Sequence, residues 1–98
     1  MAQIRITPEE LREAAEFLSN KLEAINGEIR ELKAKIDETT ANWEGAAQSS
    51  FVETFESDMY PLLSDTLPDV VNGIMEQLKG AANAIEQADE EVAKAFRG

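Results

Sequence analysis

The fold is decided by a short stretch at mid-chain, Thr40-Ala41-Asn42-Trp43-Glu44-Gly45. It contains Asn and Gly, which favour turns, and it separates two long segments with the periodicity of amphipathic helices. A connection this short places consecutive helices side by side and antiparallel. The sequence therefore predicts an all-α helical hairpin, with helix 1 at about 8–41, a turn at 42–45 and helix 2 at about 46–95.

The segment before the turn opens with a helix start signal and continues with evenly spaced apolar residues. Thr7 suits the N-cap, Pro8 the first helical position, and Glu10 stands where a capping box requires an acid. The apolar residues then alternate steps of four and three, the 3.5-residue period of a coiled-coil seam. From the second heptad onward we expect this seam to form the core or the dimer contact, through Leu18, Leu22, Ile25, Ile29, Leu32 and Ile36.

The segment after the turn shows two different spacings. Its C-terminal part repeats the four-three steps and adds Leu67, Val71, Ile74 and Leu78 to the predicted seam. Its first part steps by four each time, through Phe51, Phe55, Met59, Leu63, Leu67 and Val71, and Phe51 and Phe55 also belong to the predicted seam. On a straight α-helix each such step drifts by about 40°, which would put the first and last of these residues on opposite sides.

Two prolines lie within this drifting part of helix 2. Pro61 and Pro68 can each bend or interrupt a helix, so we expect helix 2 to be kinked or broken between 57 and 68. A true break is the open alternative, because Thr66 followed by Asp69 resembles a fresh helix start.

A single hairpin leaves apolar surface uncovered, because both apolar stripes are wider than one seam. Phe17 flanks the first stripe, and Leu62 and Val70 flank the second. A small domain rarely exposes a broad apolar face, so we expect two hairpins to pair into a four-helix bundle dimer. The residues do not distinguish a second copy from a different protein, although symmetric homodimers are the commoner arrangement.

The composition excludes several classes of function. Nine Lys and Arg stand against twenty Asp and Glu, and the net charge of −11 disfavours nucleic acid and acidic lipid surfaces. The absence of Cys excludes disulfides, thiolate catalysis and sulfur-ligated zinc, and the absence of His removes the commonest general base and the commonest metal ligand. An EF-hand pattern starting at Asp37 fails at Ala41 and Trp43. We therefore predict no enzyme, no cofactor, no metal, and no stable membrane insertion, since no apolar stretch approaches the length of a membrane span.

Trp43, the single tryptophan, lies in the connecting turn. One interpretation is structural, a lid that closes the end of the hairpin and fixes its angle. The other is functional, because a partly exposed Trp at the end of a bundle is typical of protein-binding hot spots. The residues alone favour neither interpretation.

The sequence resembles the WXG (Trp-x-Gly) family, the small early-secreted-antigen-like substrates of type VII secretion. The motif is Trp43-Glu44-Gly45, at the middle of a chain of the family's length, and the likeness covers essentially the whole chain. The opening Ile6-Thr7-Pro8-Glu9-Glu10-Leu11, with Phe51 and Phe55, resembles the single-chain members of Gram-positive bacteria. The resemblance implies a virulence-associated protein made in the cytoplasm and secreted, as a folded dimer and without a cleaved signal peptide, by a membrane-bound ATPase.

The resemblance also implies which residues contact the export machinery. The turn with Trp43 and Gly45 would lie beside the C-terminal helix end of the partner chain and form a composite surface with it. The family's export signal is a Tyr followed four residues later by an acid, and the nearest match here is Ile85 and Asp89. Homodimeric relatives are similar in lacking this Tyr, so the departure favours a homodimer and leaves the residues that replace the Tyr open.

The leading hypothesis is therefore a secreted homodimeric substrate or effector of type VII secretion, and it includes a role in the co-secretion of other substrates. The alternative is a small helical adaptor or chaperone that forms a heterodimer with a larger secreted toxin. A third hypothesis, an intracellular coiled-coil scaffold, has no role in secretion. The extracellular target and any lytic activity are left open by the residues.

Overall fold

The computed structural model describes residues 6–97, and nearly all of them are helical. The first arm is α1, Pro8–Ala41, and the second arm consists of α2, Ala46–Thr54, and α3, Leu67–Arg97, joined through two π-helical turns at Phe55–Met59 and Leu62–Thr66. The described part of the chain contains no β-strand. The predicted all-α fold with two long helical arms is confirmed.

The start of α1 is held by the residue that the sequence marks as its cap. Thr7 accepts a hydrogen bond of 3.1 Å from the Glu10 N–H through Oγ1, and one of 3.2 Å from the Leu11 N–H through its carbonyl oxygen. The bond from Glu10 satisfies an N–H group that the first turn of a helix leaves without a partner, and the bond from Leu11 is the first intrahelical bond of α1. Glu9 and Glu10 also place negative charge where the helix dipole is positive.

The second arm contains two π turns, one ending shortly before Pro61 and the other shortly before Pro68. The Tyr60 N–H donates to the carbonyl oxygen of Phe55, and the Leu67 N–H donates to that of Leu62, each five residues back. Proline has no N–H and its ring clashes with the carbonyl four residues earlier in a regular α-helix. A π turn relieves this clash by widening the helix, and Pro61 keeps helical angles of φ −60° and ψ −28°.

The chain divides into two units, which are described separately. The terminal unit contains residues 1–20 and 72–98. In it, Arg12 Nη1 donates to Glu86 Oε2 at 2.9 Å, Arg12 Nη2 donates to Asn83 Oδ1 at 2.9 Å, and the same Nη2 also contacts Glu86 Oε1. This fork joins α1 to α3. The buried apolar residues of the terminal unit are Leu11, Ala15, Met75 and Ala82.

The turn unit contains residues 21–71, and its two arms are connected by the turn at 42–45. Residues later in α1 contact residues earlier in the second arm: Lys33 contacts Tyr60, and Thr40 contacts Gln48. The two arms within this unit are therefore antiparallel. Its buried residues are Leu22, Ile29, Phe55 and the polar Thr40.

Candidate functional site

The turn around Trp43 is built from hydrogen bonds to the last carbonyl groups of α1. The Asn42 N–H donates to the Thr39 carbonyl at 3.3 Å, and the Trp43 N–H donates to the Thr40 carbonyl at 3.2 Å. The Gln48 side chain donates a second bond to the Thr40 carbonyl, at 3.0 Å. These bonds satisfy carbonyl groups that the last turn of α1 leaves without intrahelical partners. The main chain at Trp43 is therefore held by bonds from the turn itself and from α2.

The backbone conformation at position 45 explains why the turn requires glycine there. Gly45 has a φ of 119° and a ψ of 175°, which lie in a region that is essentially restricted to glycine. It is the one residue with a positive φ among residues 6–97. A Cβ built here would meet no atom within 4 Å, so the requirement comes from the backbone conformation and not from lack of space. The Gly45 carbonyl then accepts the Ser49 N–H at 3.2 Å and starts α2.

Four aromatic side chains form a continuous row in the turn unit, which we call the aromatic run: Trp43, Phe51, Phe55 and Tyr60. Their ring centroids lie 5.9, 6.0 and 5.9 Å apart in that order, within the range of favourable aromatic pairs. Phe51 and Phe55 are stacked with an interplanar angle of 8°, and Phe55 is buried. Trp43, at the open end of the row, keeps 41% of its surface exposed. It can therefore contact a partner while it packs on Phe51.

A lysine from the other arm closes the opposite end of the aromatic run. Lys33 Nζ lies 5.4 Å from the centroid of the Tyr60 ring, a cation–π contact, and donates a hydrogen bond of 2.8 Å to Asp37 Oδ2. The hydrogen bond to Asp37 raises the pKa of Lys33 above its ordinary value, and the nearby charge of Glu56 acts in the same direction. The ammonium group is therefore fully charged at neutral pH.

The turn unit also has an open apolar groove of about 690 Å³ between its two arms. On α1 it is lined by Ile25, Leu32 and Ile36, and on the second arm by Leu63 and Leu67. Charged residues of both signs surround it, namely Lys21, Glu28, Glu31 and Lys35. Leu32 is 44% exposed, so this groove is apolar surface that the chain itself does not cover.

The residues of the predicted seam are divided between the inside and the surface of the single chain. Three of them are buried: Leu22, Ile29 and Phe55. Seven are partly covered: Leu18, Ile25, Ile36, Phe51, Leu67, Val71 and Leu78. Leu32 and Ile74 are exposed. The buried positions of α3 are instead Met75 and Ala82, so the inward face of this helix is offset from the four-three series read along it.

The predicted export pair lies on α3 in the terminal unit, whereas Trp43 and Gly45 belong to the turn unit. Ile85 is partly covered and Asp89 is exposed. Steps of three and four continue the same helix face to Val92 and Phe96, and Phe96 is 88% exposed. The face therefore carries an acid followed by two exposed apolar side chains, which the sequence analysis did not single out.

Three further residues of the turn unit escaped the sequence analysis: Lys33, Gln48 and Tyr60. Tyr60 had a readable signal, because it stands five residues after Phe55 and directly before Pro61, the spacing that a π turn brings into line. Lys33 and Gln48 had none, since each is defined by a contact with the opposite arm. Among residues 6–97, no three or more Asp or Glu side chains are grouped so as to hold a metal ion.

No helix in the part of the chain that the structure describes is both long enough and apolar enough to cross a bilayer.

Comparison with known proteins gives a match over nearly the whole chain. Residues 3–90 match the model of a family described as proteins of 100 residues with WXG. The chain is 32% identical to protein YukE of Bacillus subtilis strain 168 over 97 residues, which cover 97% of this chain and 96% of that protein. It is 29% identical to the type VII secretion system extracellular protein A of Staphylococcus aureus strain USA300 over 96 residues, which cover 98% and 97%.

Proposed function

This chain belongs to the WXG100 family, and on that premise we propose that it is a secreted substrate or effector of a type VII secretion system. Proteins of this family are small structural or effector proteins, and the chain is not an enzyme. Its action rests on protein–protein contacts, and we further propose that it is exported as a folded homodimer that supports co-secretion of other substrates.

The observation that supports export most directly is the likeness to a secreted relative along the full length. The staphylococcal protein is named as an extracellular protein of this secretion system, and the alignment leaves no large part of either chain unmatched. Trp43 and Gly45 define the family motif. The Trp43 ring is partly exposed, and Gly45 has a backbone conformation that is essentially restricted to glycine.

The homodimer is supported by the apolar surface that one chain leaves open. The groove lined by Ile25, Leu32, Leu63 and Leu67 is open to solvent, and Ile74 is 45% exposed. Soluble monomers rarely keep such surface uncovered, and obligate dimers cover it with an interface resembling a divided core. The rim of the groove carries Lys and Glu together, so two identical rims can be complementary in charge.

We propose that the export machinery contacts a composite surface formed by both chains of the dimer. Antiparallel pairing of two hairpins brings the turn of one chain beside the C-terminal helix end of the other. Trp43 of one chain would then stand near Ile85 and Asp89 of the other, together with the exposed Val92 and Phe96. The secretion ATPase is the partner that we assign to this surface.

One observation favours the second candidate function, an adaptor that pairs with a larger secreted toxin. Two copies of a chain with net charge −11 repel one another over distances longer than a single contact. A less acidic helical partner would cover the same apolar groove without this repulsion. The groove is therefore open to either occupant, and the mass of the purified chain decides between them.

Sedimentation equilibrium on the purified chain, over a wide concentration range, is the first test. A stable particle of twice 10.8 kDa with strongly helical circular dichroism supports the homodimer. A monomer with little helix would reject the homodimer and place the adaptor first.

Export itself is tested in a producing strain by comparing the culture medium with the cell pellet, with a cytoplasmic protein as a lysis control. Trp43→Ala is expected to be retained in cells although it remains helical and dimeric, and Trp43→Phe is expected to retain part of the export. Wild-type amounts of Trp43→Ala in the medium would rule out a role of Trp43 in export.

A further inference from the structure

We propose that Tyr60 and Lys33 are positioning residues for Trp43: through the aromatic run they fix the orientation in which Trp43 is presented at the turn. The importance of this orientation for export rests on the function proposed above, whereas the orientation itself does not. The argument follows the row of rings from its buried part outward.

The π turn at Phe55–Met59 is what brings Tyr60 into the row. On an α-helix, residues five apart lie about 140° from one another around the axis, so the two rings could not meet. Here the Tyr60 N–H bonds to the Phe55 carbonyl, five residues back, and the ring centroids lie 5.9 Å apart. Pro61, which follows directly, favours this widened turn because it disrupts regular α-helical bonding. The proline therefore acts on the placement of the Tyr60 ring, which directly precedes it in the chain.

Lys33 then fixes Tyr60 from the opposite arm of the hairpin. Its ammonium group lies 5.4 Å from the ring centroid and is restrained by Asp37, four residues further along the same helix. The lysine thus has one contact on α1 and one on the second arm. Displacement of the Tyr60 ring would cost the cation–π contact and the ring contact with Phe55 together.

The other end of the row shows why Trp43 depends on it. The main-chain N–H of Trp43 is bound to Thr40, but its indole ring has Phe51 as its one ring contact in the described chain, at 5.9 Å. Phe51 is only partly covered and stacks on the buried Phe55. The orientation of the indole therefore rests on a row whose deepest ring, Phe55, is held between Phe51 and Tyr60.

The single tryptophan makes the test direct, because all indole fluorescence of the protein comes from Trp43. We compare emission maximum, acrylamide quenching and anisotropy in Tyr60→Leu, Tyr60→Phe and the wild type, at equal helicity and equal particle mass. Tyr60→Leu is expected to shift emission to the red, raise the quenching constant and lower the anisotropy. Tyr60→Phe keeps the ring and is expected to retain the wild-type values. An unchanged spectrum in Tyr60→Leu would overturn the proposal.

A second pair of variants tests the lysine without removing any ring, and it also serves if Tyr60→Leu fails to fold. Lys33→Met removes the cation, and Lys94→Met is its matched control, because Lys94 forms a comparable pair with Glu90 four residues away, at 3.8 Å, on α3. We expect red-shifted emission, a higher quenching constant and lower anisotropy of Trp43 in Lys33→Met and not in Lys94→Met. Equal spectra in the two variants would remove Lys33 from the proposal.

Export measured on the same variants separates this inference from the proposed function. If the wild-type chain is absent from the medium, the proposed function fails, and if Trp43→Ala is exported normally, the role of Trp43 in export fails. In both cases the fluorescence results still decide the positioning. If Trp43→Ala is retained but Tyr60→Leu, with loosened Trp43, is exported at the wild-type level, the positioning of Trp43 stands and its role in export is ruled out.

Discussion

The side-chain amide of Gln48 donates a hydrogen bond of 3.0 Å to the main-chain carbonyl of Thr40, eight residues earlier in the chain. The bond joins the first turn of α2 to the last turn of α1 across the motif residues. Thr40 is the buried polar residue of the described chain, and its hydroxyl donates to the Asp37 carbonyl at 3.3 Å. Hydrogen bonds to Thr40 and aromatic packing of Trp43 on Phe51 therefore both stabilise the turn.

Removing the Gln48 amide should weaken the turn without disturbing the helices. Gln48→Ala is expected to lower the free energy of unfolding by about 1 kcal/mol, the usual net contribution of such a bond. Urea unfolding followed by circular dichroism measures this loss. Ser50→Ala, an exposed change in the same helix, is the control. Equal midpoints for the two variants would mean that the bond to Thr40 does not contribute to stability.

Substituting alanine should have opposite effects at two glycines of this chain. Gly45→Ala forces a side chain into a conformation restricted to glycine and is expected to cost about 1–3 kcal/mol. Gly80→Ala, inside α3, is expected to stabilise the protein by about 0.5–1 kcal/mol, because alanine is the better helix former. An added Cβ meets no atom within 4 Å at either position, so packing does not complicate the comparison. Thermal unfolding of the two variants should therefore move in opposite directions.

The Arg12–Glu86 contact predicts a specific dependence of stability on pH. The hydrogen bond from Arg12 lowers the pKa of Glu86 below its ordinary value, against an opposing effect of desolvation. A carboxyl group whose pKa is lower in the folded state stabilises that state above the ordinary Glu pKa, and the effect is lost as pH falls through the folded-state value. Glu86→Gln should therefore flatten the loss of stability on the acid side.

Unfolding curves recorded at a series of acidic pH values test this dependence. Glu90→Gln removes the same charge from a carboxylate 3.8 Å from Lys94 and measures the general effect of one fewer acid. Identical pH profiles for the two variants would contradict a stabilising role of the Arg12 contact.

Two isoleucines of the predicted seam should separate folding of the chain from association of two chains. Ile29 is buried within the chain, and Ile29→Asp is expected to cost several kcal/mol by burying an unpaired charge. Ile74 is 45% exposed, so Ile74→Asp should act mainly on the proposed dimer. Sedimentation at increasing concentration should show Ile74→Asp shifted toward monomer while its helicity persists. A dimer of unchanged affinity would place Ile74 outside the interface.

Periodicity was sufficient to predict the two arms, because a four-three series of apolar residues specifies a helix whichever surface it faces. It did not specify which part of each wide stripe turns inward. Ile74 and Met75 are adjacent and both apolar, yet Met75 is buried and Ile74 is exposed. That choice depends on the opposite arm, which a spacing rule does not contain.

The sequence analysis named Trp43, Phe51 and Phe55 but did not predict that they form one row with Tyr60, for a related reason. Steps of four were read on a straight α-helix, which would separate Phe51 from Val71, whereas both are partly covered in the structure. The two π turns compensate for the drift because each takes one residue more than a turn of α-helix. The geometry is compatible with both the structural and the functional interpretation of Trp43, because the ring packs on Phe51 and keeps an exposed face.

The two π turns also bear on how this chain should be aligned with its relatives. Each turn holds one extra residue and therefore acts as a one-residue insertion inside a helix that continues through it. A relative with a plain α-helix here is expected to match this chain only with a single-residue gap near Pro61 and another near Pro68. An ungapped alignment would pair inward residues of one protein with outward residues of the other over that stretch.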